Sequence, residues 1–296
     1  MMDDYSNVWI YRLKWAYLLA VVGALLLPTF YIIYISFNEH GFGARIYEFT
    51  LDWYVVVLGD TMLVASLKWT LYLAGAAVFT VVPMALLSAK FYKRTRFKIA
   101  FVTLMLFPLF IPADIMASSL LVYFRQLNAF FTFLGESLGV EWLTHWFELG
   151  FTTALIGQVL YTVPYAFIII LITMSRYREQ QTEAARACGA TAWQAFWHVE
   201  FPQIRVGIFS SCAFVTILSF NEAVRTGLLK GGFDTFSNVL VSQMLNVGMS
   251  EESYAMAGTM SIVSMLAVGS IIVYTLIRAE RLERTLRAKA EPVMST

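Results

Sequence analysis

Charge is what this sequence has least of. Charged residues make up 14% of its 296 positions, against about 25% in soluble domains. That scarcity argues against a soluble globular enzyme and against a disordered chain. A net charge of +1 and an isoelectric point near 7.7 argue against a nucleic-acid binder, which needs a basic face. Cysteine is nearly absent as well. Cys188 and Cys212 stand far apart, with no CxxC and no paired histidines, so neither a disulfide framework nor a zinc site is expected. No lysine follows a glycine, which removes the GxxxxGK[ST] phosphate loop and any ATP site of that kind. No internal repeat is evident, so a secondary transporter built from inverted repeats gains no support.

What the chain has in excess is apolar residues: 59% hydrophobic and 16% aromatic, with a mean hydropathy of +0.66. These place it in the membrane as a single all-α domain over 1–296. Six runs predict spans at about 15–37, 61–89, 99–124, 151–175, 206–222 and 254–277. Backbone groups in hydrocarbon need internal partners, so the runs are expected to be helices. The fifth run is short. Its 16 uncharged residues reach about 24 Å against a core of about 30 Å, so it is expected to extend past Glu222 or to sit among helices that tolerate its polar end. The first run is too long, and lacks the small-residue cleavage site, to be a signal peptide.

Lysine and arginine set the orientation. Arg12 and Lys14, the cluster Lys90–Lys98, the loop 176–205 and the tail from Arg278 to Lys289 carry most of the 21 basic residues. That side reads as cytoplasm, with both termini on it. Arg45, Arg125, Arg225 and Lys230 fall on the other side. There the loops 38–60, 125–150 and 223–253 are too short for a domain, and Gly41, Gly43, Gly231 and Gly232 mark turns. Trp142, His145 and Trp146 read as an interfacial helix.

The inward loop 176–205 carries the most specific pattern. Good helix formers run through Glu183-Ala184-Ala185, and Gly189 stands where a helix end wants a left-handed residue. Thr191 and Gln194 then form a T-x-x-Q capping box. The second helix is expected to stop before Pro202, since the residue preceding proline is disfavoured in the α region. Trp193, Phe196 and Trp197 share one face at i, i+3, i+4. Such a helix either lies on the inner leaflet with its tryptophans at headgroup depth or docks in the groove of a soluble partner. Small Ala184 and Ala185 favour docking, and a two-helix element tethered to two spans can pass a partner's movement into the bilayer.

The loop resembles the EAA motif of permease subunits in bacterial ATP-binding-cassette type I importers. Glu183-Ala184-Ala185, three residues, Gly189, nine residues, then Val199-Glu200-Phe201-Pro202 keep both spacers of that motif; Val199 and Phe201 replace isoleucine and leucine. The resemblance implies a six-span permease in the bacterial inner membrane, with the loop as coupling helix on a cytoplasmic ATPase dimer. ATP and magnesium would then belong to that dimer and no cofactor to this chain. It also implies a second, distinct permease and an external solute-binding protein. TLDWY at 50–54, VPYAF at 163–167, LSFNEAV at 218–224 and MLNVGMSEESYAM at 244–256 resemble the polyamine and opine group. An amide, Asn221, stands beside Glu222 where that group commonly shows an acidic pair.

Ionisable residues inside spans are functional candidates because burying them in lipid is expensive. Asp114 follows Pro108 and Pro112, both of which break the backbone ladder; it either lines the pathway or pairs within the bundle, with Lys68 as a partner. Glu222 either meets solute with Asn221 or reaches the outer headgroups. Lys68 either faces the pathway, where it repels a polycation and attracts an anion, or snorkels outward. Tyr161 and Tyr165 offer aromatic walls for a cation or ordinary packing. The implied cargo is a polyamine or related cationic or zwitterionic amine, with an opine, another organic anion or zwitterion, or a sugar as the alternative. A receptor or scaffold, or an intramembrane enzyme, is the rival class. The enzyme lacks a nucleophile with its base: Ser118 and Ser119 have no neighbouring histidine, and His40, His145 and His198 lie in loops.

Overall fold

The structure, a computed structural model, describes residues 8–40, 43, 46–144 and 147–290. Helices numbered in chain order are α1 (Val8–Ile35), α2 (Asp52–Gly59), α3 (Thr61–Arg94), α4 (Lys98–Leu106), α5 (Ala113–Leu138), α6 (Glu141–Thr144) and α7 (Phe151–Ser175). They continue as α8 (Gln180–Ala187), α9 (Ala192–Ala195), α10 (Phe201–Phe220), α11 (Val224–Leu229), α12 (Phe236–Asn246) and α13 (Glu251–Ala290). No strand forms among the described residues; one antiparallel bridge joins Asn38 and Phe49. Gly41, Arg45, His145 and Trp146 lie outside the described residues. Trp142 sits exposed on the four-residue α6.

Five helices are long and apolar enough to cross a membrane: Tyr11–Ile35, Thr61–Arg94, Phe151–Ser175, Ala192–Phe220 and Glu251–Tyr274. A pair of helices, Lys98–Phe110 and Ala113–Leu138, passes the same test together but is bent by 97°, as in a broken span or a re-entrant loop. The all-α membrane architecture is therefore as expected, with two corrections.

First, 99–124 is not one straight helix. A 3-10 turn (Phe107–Phe110) ends in Ile111 at φ −91°, ψ 123°. Pro112 forces that extended conformation on the residue before it and then caps α5, which runs on to Leu138. Second, the coupling segment does not stop before Pro202. A π turn (Phe196–Glu200) carries the chain into α10, and Phe201 stays helical with its N–H bonded to the Phe196 carbonyl five residues back. Proline then sits in the first turn of α10, where its missing N–H costs little. The fifth span thus gains length at its N-terminal end. Phe201–Phe220 has 20 residues, about 30 Å, and it ends at Asn221 rather than past Glu222.

The chain divides into two compact units. One comprises the residues up to Val64 with Leu240–Ile262. In it Ser36 and Tyr54 share a hydroxyl–hydroxyl bond of 2.6 Å, and Val57, Ala255 and Met256 are buried. The other comprises Ala65–Val239 and the residues after Ile262. Its core joins α3, α7 and α10 through Ala77, Val81, Ala85, Phe167, Ile170 and Ile204. Small residues along α3 let backbones approach, a frequent membrane solution. Gly207 is required at the α7–α10 crossing, because a Cβ there would overlap the Thr173 side chain.

Candidate coupling and pathway sites

The inner loop folds locally as its residues dictate. Gly189 has φ +91°, where a Cβ would be strained. Its N–H donates to the Arg186 carbonyl at 3.0 Å, and the Ala190 N–H donates to the Ala185 carbonyl at 3.1 Å. Together these form a Schellman end for α8. Thr191 and Gln194 close the capping box reciprocally, at 2.9 and 3.3 Å. The turn between the helices is therefore satisfied at both ends by side chains and backbone within it.

Trp193 and Trp197 remain exposed, at 70% and 41%, while Phe196 on the same face is half-buried against the core of α3, α7 and α10. Their rings meet edge to face at 5.4 Å, and Trp197 packs on Phe201 at 4.8 Å. Glu183 and Ala184 are exposed and Ala185 half-buried. Glu183 lines a cleft of about 130 Å³ with Lys90, Arg94, Tyr177, Thr182 and Glu200.

Ion pairs fix this element to the C-terminal end of α3. Lys90 Nζ lies 3.0 Å from the Glu200 carboxylate and 4.3 Å from the centre of the Phe196 ring. Lys93 donates to the Tyr177 carbonyl at 3.2 Å and stands 3.6 Å from Glu179. Burial pushes the Tyr177 phenol above its ordinary pKa, against the hydrogen bond it shares with Thr182. The sequence reading missed the Lys90–Glu200 pair. The only signal was an acid inside an otherwise apolar turn.

At the other end of α10, Asn221 is exposed, and its amide donates to the Ile217 carbonyl at 2.9 Å. Glu222 is buried. One carboxylate oxygen accepts the Arg225 N–H at 2.9 Å and the other pairs with the Arg225 guanidinium. That guanidinium stacks over Tyr161 at 4.0 Å, and Tyr161 meets Tyr165 edge to face at 5.3 Å. The chain's own cation therefore occupies the acid and the aromatic face read above as a place for solute. The spacing Glu222-x-x-Arg225 was the available signal. Gln158, an amide within the uncharged fourth span, was also passed over. It bonds Thr226 at 3.1 Å and accepts from Ser219 at 2.5 Å.

Lys68 and Asp114 are both exposed, on α3 and in the first turn of α5. No ion pair joins them among the described residues. Asp114 stands at the start of a helix, where the dipole favours a carboxylate.

Long apolar helices, with a bent pair among them, mark a multi-pass membrane protein. The chain belongs to the family of binding-protein-dependent transport system inner membrane components, which it matches over residues 81–284; it is a permease subunit of an ATP-binding-cassette importer. It is similar to the spermidine/putrescine transport system permease protein PotC of Escherichia coli, 24% identical over 86% of this chain and 91% of that one. A homologue of that permease in Mycoplasma genitalium is 25% identical over 92% and 94%. The osmoprotective compounds uptake permease GgtC of Synechocystis is 26% identical over 91% and 98%. Among solved structures, a bacterial alginate transporter in complex with an alginate-bound periplasmic protein shares the fold. Its TM-score is 0.62 at 19% identity, over 91% of this chain and 94% of that chain. The chain is thus a multi-pass inner-membrane protein.

Proposed function

We propose that this chain forms half of the translocation pathway for a polyamine or related cationic or zwitterionic amine. A separate ATPase dimer drives it, and an external binding protein delivers the solute. The observation that carries the coupling assignment is the self-capped α8–Gly189–α9 element, whose Trp193 and Trp197 rings stay exposed. Glu183, Ala184, Ala185 and Gly189 present its first helix, and Pro202 follows where the element enters the fifth span. ATP and magnesium reside on the partner. The basic loops orient that element and both termini toward the cytoplasm. A second, distinct permease completes the pathway by family analogy.

Support for an amine comes from the names of the relatives similar over most of both chains. One observation favours the second reading, an opine or other anionic or zwitterionic solute. Arg225 neutralises Glu222, while Lys68 remains exposed on α3. Calorimetry of the cognate binding protein against amines, opines, betaines and sugars separates the two readings. Tight binding of a diamine or triamine that also stimulates ATPase in proteoliposomes supports the first. Binding restricted to anions or sugars overturns it.

A further inference from the structure

The residues Glu39, His40 and Glu48 form a cluster that the transport reading does not use. One ligand atom from each lies within 4.8 Å of the others, and all three side chains are exposed. We infer that they form a zinc site on the outer loop, with two carboxylate oxygens and one imidazole nitrogen as ligands and a fourth position left to water.

Three observations carry this. The first is a distance: His40 Nε2 and Glu48 Oε2 stand 3.4 Å apart, about the separation that tetrahedral zinc with bonds near 2.1 Å imposes on two ligands. The second is the frame. The Glu39 N–H donates to the Glu48 carbonyl at 2.9 Å, and the Glu48 N–H donates to Asn38 Oδ1 at 3.0 Å. Trp53 Nε1–H donates to the Glu39 carbonyl at 3.2 Å, and the Phe37 and Phe49 rings stack at 5.6 Å. Both carboxylate residues are thus anchored through their main chains to one another, so only side-chain rotations are needed to close on an ion.

The third is charge. Two carboxylates stand beside one imidazole, so a divalent cation held there would offset their charge. The mixed nitrogen and oxygen donor set suits zinc over calcium or magnesium, which favour oxygen alone. The separation of Glu39-His40 from Glu48 does not follow familiar zinc spacings, so the cluster is legible only in three dimensions.

The test uses the full chain in detergent micelles, its affinity tag removed and its metals stripped by chelator, titrated with zinc chloride by calorimetry. One equivalent is expected, with a rise in Tm, and His40→Ala or Glu48→Gln should weaken binding at least tenfold. The zinc-free Tm and gel-filtration profile of each variant establish that it folds. Absence of binding, equal binding by folded variants, or a preference for calcium over zinc would overturn the site.

Discussion

Lys90 and Glu200 lie 110 positions apart in the sequence, yet the ammonium of one rests 3.0 Å from the carboxylate of the other. The pair ties the π turn between α9 and α10 to the C-terminal end of α3. Glu200 is buried while Lys90 is half-buried, so removing the lysine leaves an uncompensated carboxylate, which is the costly direction. Lys90→Met should lower Tm and reduce ATPase stimulation by the loaded binding protein. Lys90→Glu with Glu200→Lys should recover part of both. Thermal melts and ATPase assays on all three proteins check this, and equal Tm values across the set would remove the pair from the account.

The coupling element makes the second prediction. Gly189→Pro imposes φ near −65° where the chain needs +91° and deletes the N–H bonded to Arg186. Glu183→Lys and Trp197→Asp alter the exposed faces without touching the turn. All three should insert normally and lose uptake together with substrate-stimulated ATPase. Normal transport by all three would refute the docking assignment.

A third prediction concerns Glu222 and Arg225. Arg225→Met strands a buried carboxylate and should cost roughly 3–5 kcal/mol, read as lost expression or a much lower Tm. Glu222→Gln with Arg225→Gln removes both charges and should restore folding, leaving uptake as the readout of any role in transport. If Glu222→Gln alone lowered uptake with Tm unchanged, the carboxylate would be acting on solute rather than on Arg225.

Packing gives the fourth. Gly207→Val drives a branched side chain into Thr173 where α7 and α10 cross. Overpacking of this kind costs about 1–3 kcal/mol. Adding Thr173→Ala should return much of the lost Tm. A double variant no more stable than Gly207→Val would place the strain elsewhere.

The spans were legible because twenty apolar residues in a row leave the backbone one choice in lipid; 151–175 matches α7 at both ends. Gly189 and the Thr191–Gln194 box were equally legible, since their partners lie within a few residues. Pro112 announced a break but not the 97° bend, which depends on what packs against each half. Pro202 was misread because a π turn has no reliable signature and removes the usual conflict. Arg225 was counted as an outer-loop charge because sequence position does not reveal a side chain folded back over Tyr161. The buried network of Gln158, Ser219 and Thr226 is illegible for the same reason: its members come from three separate segments.

The run from Ala192 to Phe220 is a single lever. Twenty-nine helical residues span about 43 Å, so tilting its inner end by about 5° sweeps its outer end through roughly 4 Å. No unstructured residue interrupts the run, and it departs from α geometry at the π turn, where Lys90 holds Glu200. If a partner pushes on the tryptophan face, as proposed, the stiffness of that joint divides the push between displacement of the far end and local bending.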